Sequence, residues 1–167
     1  CVHAGVVEQC NDGWCKIPAG CYVFGTPEDA PGRALRGEEQ TPVTFTYEME
    51  VMQTELTWAE YDRITGWPRK IYKDECSDDQ CPANVSWWEA MLLANLLSER
   101  HEPPLEHCYD LGEGCQREPG DRMSCPNYQL TRPGYSCSGY RLPNQFEWQY
   151  IARGGTTTDF YTGNMNS

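Results

Sequence analysis

The sequence predicts an α+β domain that is rich in loops and cross-linked by disulfides. Three observations carry that reading. Residues 43–51 alternate strictly between apolar and polar side chains, the period of a half-buried strand. Thr57-Trp-Ala-Glu60 and Ser86-Trp-Trp-Glu89 have the Ser/Thr-x-x-Glu form that opens helices. Ten cysteines in 167 residues form an even set, placed among repeated Pro and Gly.

Composition narrows the function classes. The chain has 25 Asp+Glu against 13 Lys+Arg and a formal net charge of −12. That balance argues against nucleic acid as a partner, because phosphate binding needs clustered Lys and Arg. It argues equally against an anionic membrane surface. No run approaches the ~18 apolar residues of a membrane helix, so no membrane span is expected. The apolar share is only 39%, but 12% is aromatic, so large rings can build a core and an acidic disordered tail is excluded.

The cysteines favour an oxidising compartment, which means a secreted, extracellular or periplasmic location. Zinc is the alternative. Cys10/Cys15 and Cys76/Cys81 are the tightest pairs, each with four intervening residues, and His3, His101 and His107 do not fall at finger spacing. The chain begins at Cys1 without an initiator Met and reads as a processed or truncated product. A bacterial lipoprotein also begins its mature form with Cys, so Cys1 is a candidate lipid anchor. Acylation there would leave nine thiols and break the even parity.

The elements follow in order. Residues 1–20 form a Cys-rich lead-in, and residues 21–167 form the domain. Cys21-Tyr-Val-Phe-Gly-Thr26 reads as a short strand ending at a turn, and residues 27–42, with Pro27, Pro31, Gly32, Gly37 and Pro42, as a loop. In the strand that follows, Val43, Phe45, Tyr47, Met49 and Val51 face one way, and Thr44, Thr46, Glu48 and Glu50 the other. The first helix starts at Thr57, with Thr57-Trp-Ala-Glu60 as its capping box, and Gly66 with Pro68 ends it. The second starts after Ser86 and runs to about Arg100, with Ala90, Leu93, Ala94 and Leu97 as its core face. A third follows Pro143, with Asn144 as N-cap, Glu147 at the third position and Gly154-Gly155 as its stop. Phe146, Tyr150 and Ile151 are its expected buried side. The long loop 102–139 holds four cysteines and needs stapling. The simplest pairs by spacing are Cys108–Cys115 and Cys125–Cys137, with Cys76–Cys81 pinning an acidic turn. Cys1, Cys10, Cys15 and Cys21 then pair among themselves, in an arrangement that spacing leaves open.

Four stretches, in register, carry a family resemblance. They are Ile17-Pro-Ala-Gly-Cys-Tyr-Val-Phe-Gly25, Glu50-Val-Met-Gln-Thr-Glu55, Asn84-Val-Ser-Trp-Trp-Glu-Ala90, and Gly139-Tyr-Arg-Leu-Pro-Asn-Gln-Phe-Glu-Trp-Gln-Tyr-Ile-Ala-Arg-Gly-Gly155. Together they resemble the formylglycine-generating enzyme family, also called the sulfatase-modifying-factor domain, and its Cys-rich secreted bacterial branch in particular. The motif positions that carry the likeness are Asn84, Ser86, Trp87, Glu89, Arg141, Leu142, Pro143, Glu147, Trp148 and Arg153. The resemblance implies a C-type-lectin-like, irregular fold. It also implies an oxidation of a sulfatase cysteine to formylglycine that uses copper, oxygen and a cysteine pair, with calcium supporting the complete domain. The sequence departs from the family pattern where Asn144, Gln145, Phe146 and Gln149 replace Thr, Glu, Ala and Glu. It also stops at Ser167, ahead of the portion where the family carries its catalytic cysteines and most calcium ligands, so the domain reads as incomplete at its C-terminus. No catalytic, cofactor-binding or metal residue is assigned, and copper is expected only if the parent protein is catalytic.

Other features have plain readings. Asn84-Val-Ser86 is a glycosylation sequon, but Ser86 is also a helix cap and Asn84 lies in the motif. Asp74, Glu75, Asp78 and Asp79 read as a solvated turn rather than a calcium loop. One of Trp87 and Trp88 is expected in the core and the other as a packing lid. Arg141, Glu147 and Arg153 are expected in buried ion pairs or loop-holding hydrogen bonds. The function expected is that of a secreted or periplasmic, non-catalytic binding or assembly domain, completed by a protein partner or a C-terminal remainder. Its rivals are the N-terminal part of a formylglycine-generating oxidoreductase and a surface lipoprotein of an envelope or appendage machine.

Overall fold

A computed structural model describes residues 9–30, 33, 38–71, 76–158 and 161–163 of the chain. In chain order the elements are β1 (Gln9–Asn11), β2 (Trp14–Ile17), β3 (Gly20–Phe24), β4 (Thr41–Phe45), β5 (Met49–Met52), α1 (Trp58–Thr65), α2 (Trp87–Arg100), β6 (Tyr109–Asp110), β7 (Gln129–Leu130) and α3 (Gln145–Arg153). A 3-10 turn at Gly134–Ser136 precedes α3. Short helices, small sheets and long irregular connections make this the mixed, loop-rich α+β architecture that the sequence predicts. Among the described residues no helix is long and apolar enough to cross a membrane. The chain divides into two units, one of Cys1–Thr54 with Pro143–Ser167, the other of Glu55–Leu142.

The first unit begins in the Cys-rich lead-in, where residues 9–17 form a hairpin. Asp12 and Gly13 both have positive φ, 51° and 81°. This is the backbone that a two-residue hairpin turn needs and that Asp-Gly supplies. Cys10 and Cys15 stand opposite each other across the hairpin and form a disulfide. Cys21 is disulfide-bonded as well, and Cys1 lies outside the described residues.

The strand expected over 43–51 is two strands. β4 pairs antiparallel with β3, and β5 pairs antiparallel with β2 in the sheet ordered β1-β2-β5. The chain leaves one partner and joins another at residues 46–48. The side-chain alternation survives this exchange. Val43, Phe45, Tyr47, Met49 and Val51 are buried or half-buried, and Thr44, Thr46, Glu48 and Glu50 are exposed. The period reported the buried face, and only the pairing reveals the break. Cys15, Ile17, Tyr22, Phe45 and Tyr150 form the core. Tyr22 stacks on Phe45 with ring centroids 6.2 Å apart, and Tyr150 leans on both at 5.5 and 5.1 Å. On α3, Tyr150 is buried as expected, whereas Phe146 and Ile151 are half-buried.

The second unit is built on α1 and α2. Both carry the expected capping boxes, and α1 ends on Gly66 in the left-handed conformation, φ 64°. The face of α2 is wider than the expected Ala90/Leu93/Ala94/Leu97 stripe. Leu93 packs with Trp58, Tyr61, Ile64 and Cys81, while Met91 and Ala94 pack with Cys108 and Tyr109. A helix between two clusters is covered on two sides, which is why its apolar residues spread round it. Buried polar groups on α2 serve as tertiary partners. The Asn95 amide donates to the Tyr109 carbonyl at 2.7 Å and accepts from the Tyr109 N–H at 3.3 Å. Ser98 Oγ accepts the Tyr140 N–H at 2.8 Å.

The staples of the long loop differ from those expected. Cys108 joins Cys137, and Cys115 joins Cys125, so one bridge lies inside the other. Pairing each cysteine with its neighbour in sequence ignored how the loop doubles back. β6 pairs with β7 through Tyr109↔Leu130, which brings Cys108 beside the far end of the loop. A second antiparallel bridge, Gln116↔Ser124, sets Cys115 beside Cys125. Cys76–Cys81 is present as expected.

Candidate functional site

The motif residues of the second unit gather at the start of α2. Ser86 caps the helix, accepting the Glu89 N–H at 3.2 Å, while Glu89 Oε2 accepts the Ser86 N–H at 2.7 Å. Both groups also reach outward. Ser86 Oγ donates to the Met123 carbonyl at 2.7 Å, and Glu89 Oε1 accepts the Gly120 N–H at 2.7 Å. Glu89 is only 2% exposed. Its carboxylate thus ties the loop that carries Gly120 and Met123 to the helix start. Gly120 has φ +84°, and a Cβ there would lie 2.3 Å from the Pro68 carbonyl, so only glycine permits this approach.

A cleft of about 210 Å³, counting its open mouth, lies beside Glu89. Trp58 and Tyr61 wall it, exposed Asn84 is among its lining residues, and so are Lys70 and Arg122. Burial and the nearby Glu89 carboxylate push the Tyr61 phenol up to about 12. Lys70 pairs with Asp121, whose carboxyl is held below its ordinary range by that hydrogen bond. Its enclosed space is only about 10 Å³, room for little more than a water, far below the roughly 300–1,000 Å³ of a small-molecule site. Each oxygen of its buried carboxylate already accepts a backbone N–H. The chemistry on display is the fixing of a loop.

In the first unit the last motif repeats the device. Asn144 caps α3, accepting from the Phe146 and Glu147 N–H groups, and Glu147 Oε2 accepts the Asn144 N–H at 2.8 Å. Glu147 is 1% exposed, and its Oε1 accepts the Tyr47 hydroxyl at 2.8 Å. Arg153 donates to the Thr158 carbonyl. Pro143 is half-buried just ahead of the cap. At the end of the second unit, half-buried Arg141 donates to the Leu142 carbonyl at 3.3 Å, and the Leu142 N–H donates to the Tyr109 hydroxyl at 2.8 Å.

Two motif tryptophans are at the surface. Trp87 is 54% exposed and Trp148 is 63% exposed, while Trp88 is half-buried. Tyr128, Leu130 and Tyr135 of the second unit and Tyr161 of the first are exposed as well.

Fit to the metals that the resemblance implies can be judged from donor chemistry. Asp79 is taken by Arg69 at 2.7 Å, and Asp78 accepts the Gln80 N–H at 3.1 Å, so this part of the acidic turn is satisfied locally. Asp74 and Glu75 lie outside the described residues. His107 faces Glu99 at 2.9 Å, and His101 meets the Pro103 carbonyl. Among the described residues no three of His, Cys, Asp and Glu come together. All nine described cysteines are in disulfides, whereas copper(I) binds thiolates. The described residues therefore do not fit either metal.

Arg69 is the residue that sequence reasoning missed. It bridges Asp62 and Asp79, and its guanidinium lies 5.8 Å from the Trp58 ring centroid. An Arg near acids is commonplace, so no sequence signal singled it out. The hairpin at Cys10 did have a signal, the Asp12-Gly13 pair. No curated protein and no solved structure matches the chain. The family model described as the Sulfatase-modifying factor enzyme 1-like domain does match, over residues 6–167, and with the four motifs now placed on capped helices and paired strands, the chain belongs to the FGE-sulfatase family.

Proposed function

We propose that this chain is a secreted or periplasmic, non-catalytic binding or assembly domain of the FGE-sulfatase family, covered in its working state by a protein partner or by further polypeptide. The observation that carries the reading is the set of large rings left in water, Trp87 and Tyr135 on one unit and Trp148 and Tyr161 on the other. Trp and Tyr are the side chains that protein interfaces concentrate, because each covers a large area while fixing few rotors. Two further facts support it. The described cysteines are all disulfide-bonded, and each carboxylate oxygen of the buried motif residues Glu89 and Glu147 accepts a hydrogen bond. The disulfides favour an oxidising compartment.

The test has two arms. Purified protein is incubated with copper(I), oxygen and a peptide carrying a sulfatase cysteine, and the peptide is examined by mass spectrometry for the aldehyde. Aldehyde formation would end the non-catalytic reading. In parallel, a photo-crosslinker placed at Trp87 or Trp148 is expected to trap one discrete protein in the extracellular or periplasmic fraction. A crosslinker at exposed Glu99, twelve positions along α2 from Trp87, is the control.

A further inference from the structure

We propose that the Cys76–Cys81 disulfide is a redox latch on α1, whose reduction frees the first turn of that helix while α2 stays formed. A helix leaves its first backbone N–H groups without partners inside the helix. In α1 two of them are met by carbonyls of the disulfide loop. The Trp58 N–H donates to Cys81 O at 3.0 Å, and the Ala59 N–H to Asp79 O at 2.9 Å. The Trp58 indole N–H donates to Cys76 O at 3.2 Å, so both cysteines present a carbonyl to the same tryptophan. The Ala83 N–H, just past the loop, returns to Leu56 O at 2.7 Å. The helix therefore borrows its N-terminal cap from a ring closed by one sulfur–sulfur bond.

Two features make this ring the one that responds. α1 has eight residues, too few to persist in water on propensity alone. Its remaining N-terminal device is the Thr57/Glu60 box. By contrast α2 has fourteen residues and takes its caps from Ser86 and Glu89, which are anchored to Met123 and Gly120 rather than to a cysteine loop. Access is also suitable. Cys76 is exposed and Cys81 is 8% exposed; Cys10 and Cys115 are exposed too, but their partners Cys15 and Cys125 are only 4% and 0% exposed, and Cys108 of the 108–137 bridge is 1% exposed.

The chemistry is ordinary thiol–disulfide exchange with a dithiol reductant. A reductant thiolate attacks Cys76 Sγ, the S–S bond breaks, and Cys81 leaves as a thiolate that takes up a proton. The second reductant thiol, losing its proton, attacks the mixed disulfide and releases Cys76 as a thiol. Two electrons pass to the protein, and the reductant ends as its own disulfide. The carbonyls of residues 76, 79 and 81 then lose their fixed positions, the Trp58 and Ala59 N–H groups turn to water, and the cleft wall at Trp58 and Tyr61 loosens.

The experiment uses the full chain. Limiting dithiothreitol followed by alkylation should label Cys76 and Cys81 first. Hydrogen exchange of the Trp58 and Ala59 amides should rise roughly tenfold or more in C76S/C81S, while the Met91 and Ala94 amides of α2 keep their wild-type rates. If the double variant does not fold, the same amides are followed in wild-type protein reduced and alkylated at this pair alone. Unchanged exchange at Trp58 and Ala59, equal acceleration of α2, or first labelling of another pair would each overturn the latch.

Discussion

Glu89 and Glu147 show how one side chain can hold a loop-rich chain together. Each spends one carboxylate oxygen on its own helix cap and the other on a distant group, Gly120 N–H for Glu89 and Tyr47 hydroxyl for Glu147. Replacing Glu147 with Ala removes the reciprocal half of the capping box, a hydrogen bond to the Asn144 N–H worth about 1 kcal/mol. It also strips the half-buried Tyr47 hydroxyl of this acceptor at a further cost of about 1–3 kcal/mol. We therefore expect Glu147→Ala to lower stability by roughly 2–4 kcal/mol in urea titrations, Tyr47→Phe to cost less, and the double variant to cost less than the sum. Half of this was legible in the sequence. Asn144 and Glu147 announce the cap, but Tyr47 lies 100 residues away and no local pattern points to it. The buried phenols give a second expectation. Burial chiefly raises Tyr22 and Tyr61 from 10.0 to about 12. Between those values the folded protein keeps protons that the unfolded chain releases, so stability is intact below pH 10 and falls as pH rises above it. Thermal melts between pH 9 and 12 should show that fall, and Tyr61→Phe should flatten it.

At the scale of elements, what repeats locally was readable and what depends on partners was not. Capping boxes at Thr57, Ser86 and Asn144 fixed three helix starts, because a cap is written within four residues. The division of residues 43–51 between two sheets was invisible, since alternation reports burial and not the identity of the neighbouring strand. The disulfide pairings expected within the long loop failed for the same reason. Spacing favoured short closures, while the β6–β7 pairing brought together cysteines separated by 29 positions. That difference has an energetic consequence. In the chain-entropy description, closing separations of 29, 10 and 5 residues stabilises by about 3.6, 2.7 and 2 kcal/mol. Non-reducing peptide mapping should recover the 108–137 and 115–125 links, and C108S/C137S should be the most destabilised of the paired Cys→Ser variants in this unit. Recovery of a 108–115 or 125–137 link would refute the nested arrangement.

For the molecule as a whole, the family was legible because four short motifs keep their order, and the match over residues 6–167 spans all four. Their chemical role was less legible. Conserving a fold and conserving a reaction use different residues, and the motif residues seen here are caps, loop ties and surface rings. The −12 charge speaks to solubility and to disfavoured polyanions, and it leaves the partner's chemistry open. One feature of the architecture bears on how the protein is made. The unit of residues 55–142 interrupts the other, whose core needs both Tyr22 near the beginning of the chain and Tyr150 near its end. A ribosome delivers the interrupting unit complete before it delivers α3. The interrupting unit can therefore close its nested bridges while the rings of Tyr22 and Phe45 still wait for Tyr150. During that interval the early strands are a nascent, uncovered surface, and the last helix is the piece that shields them.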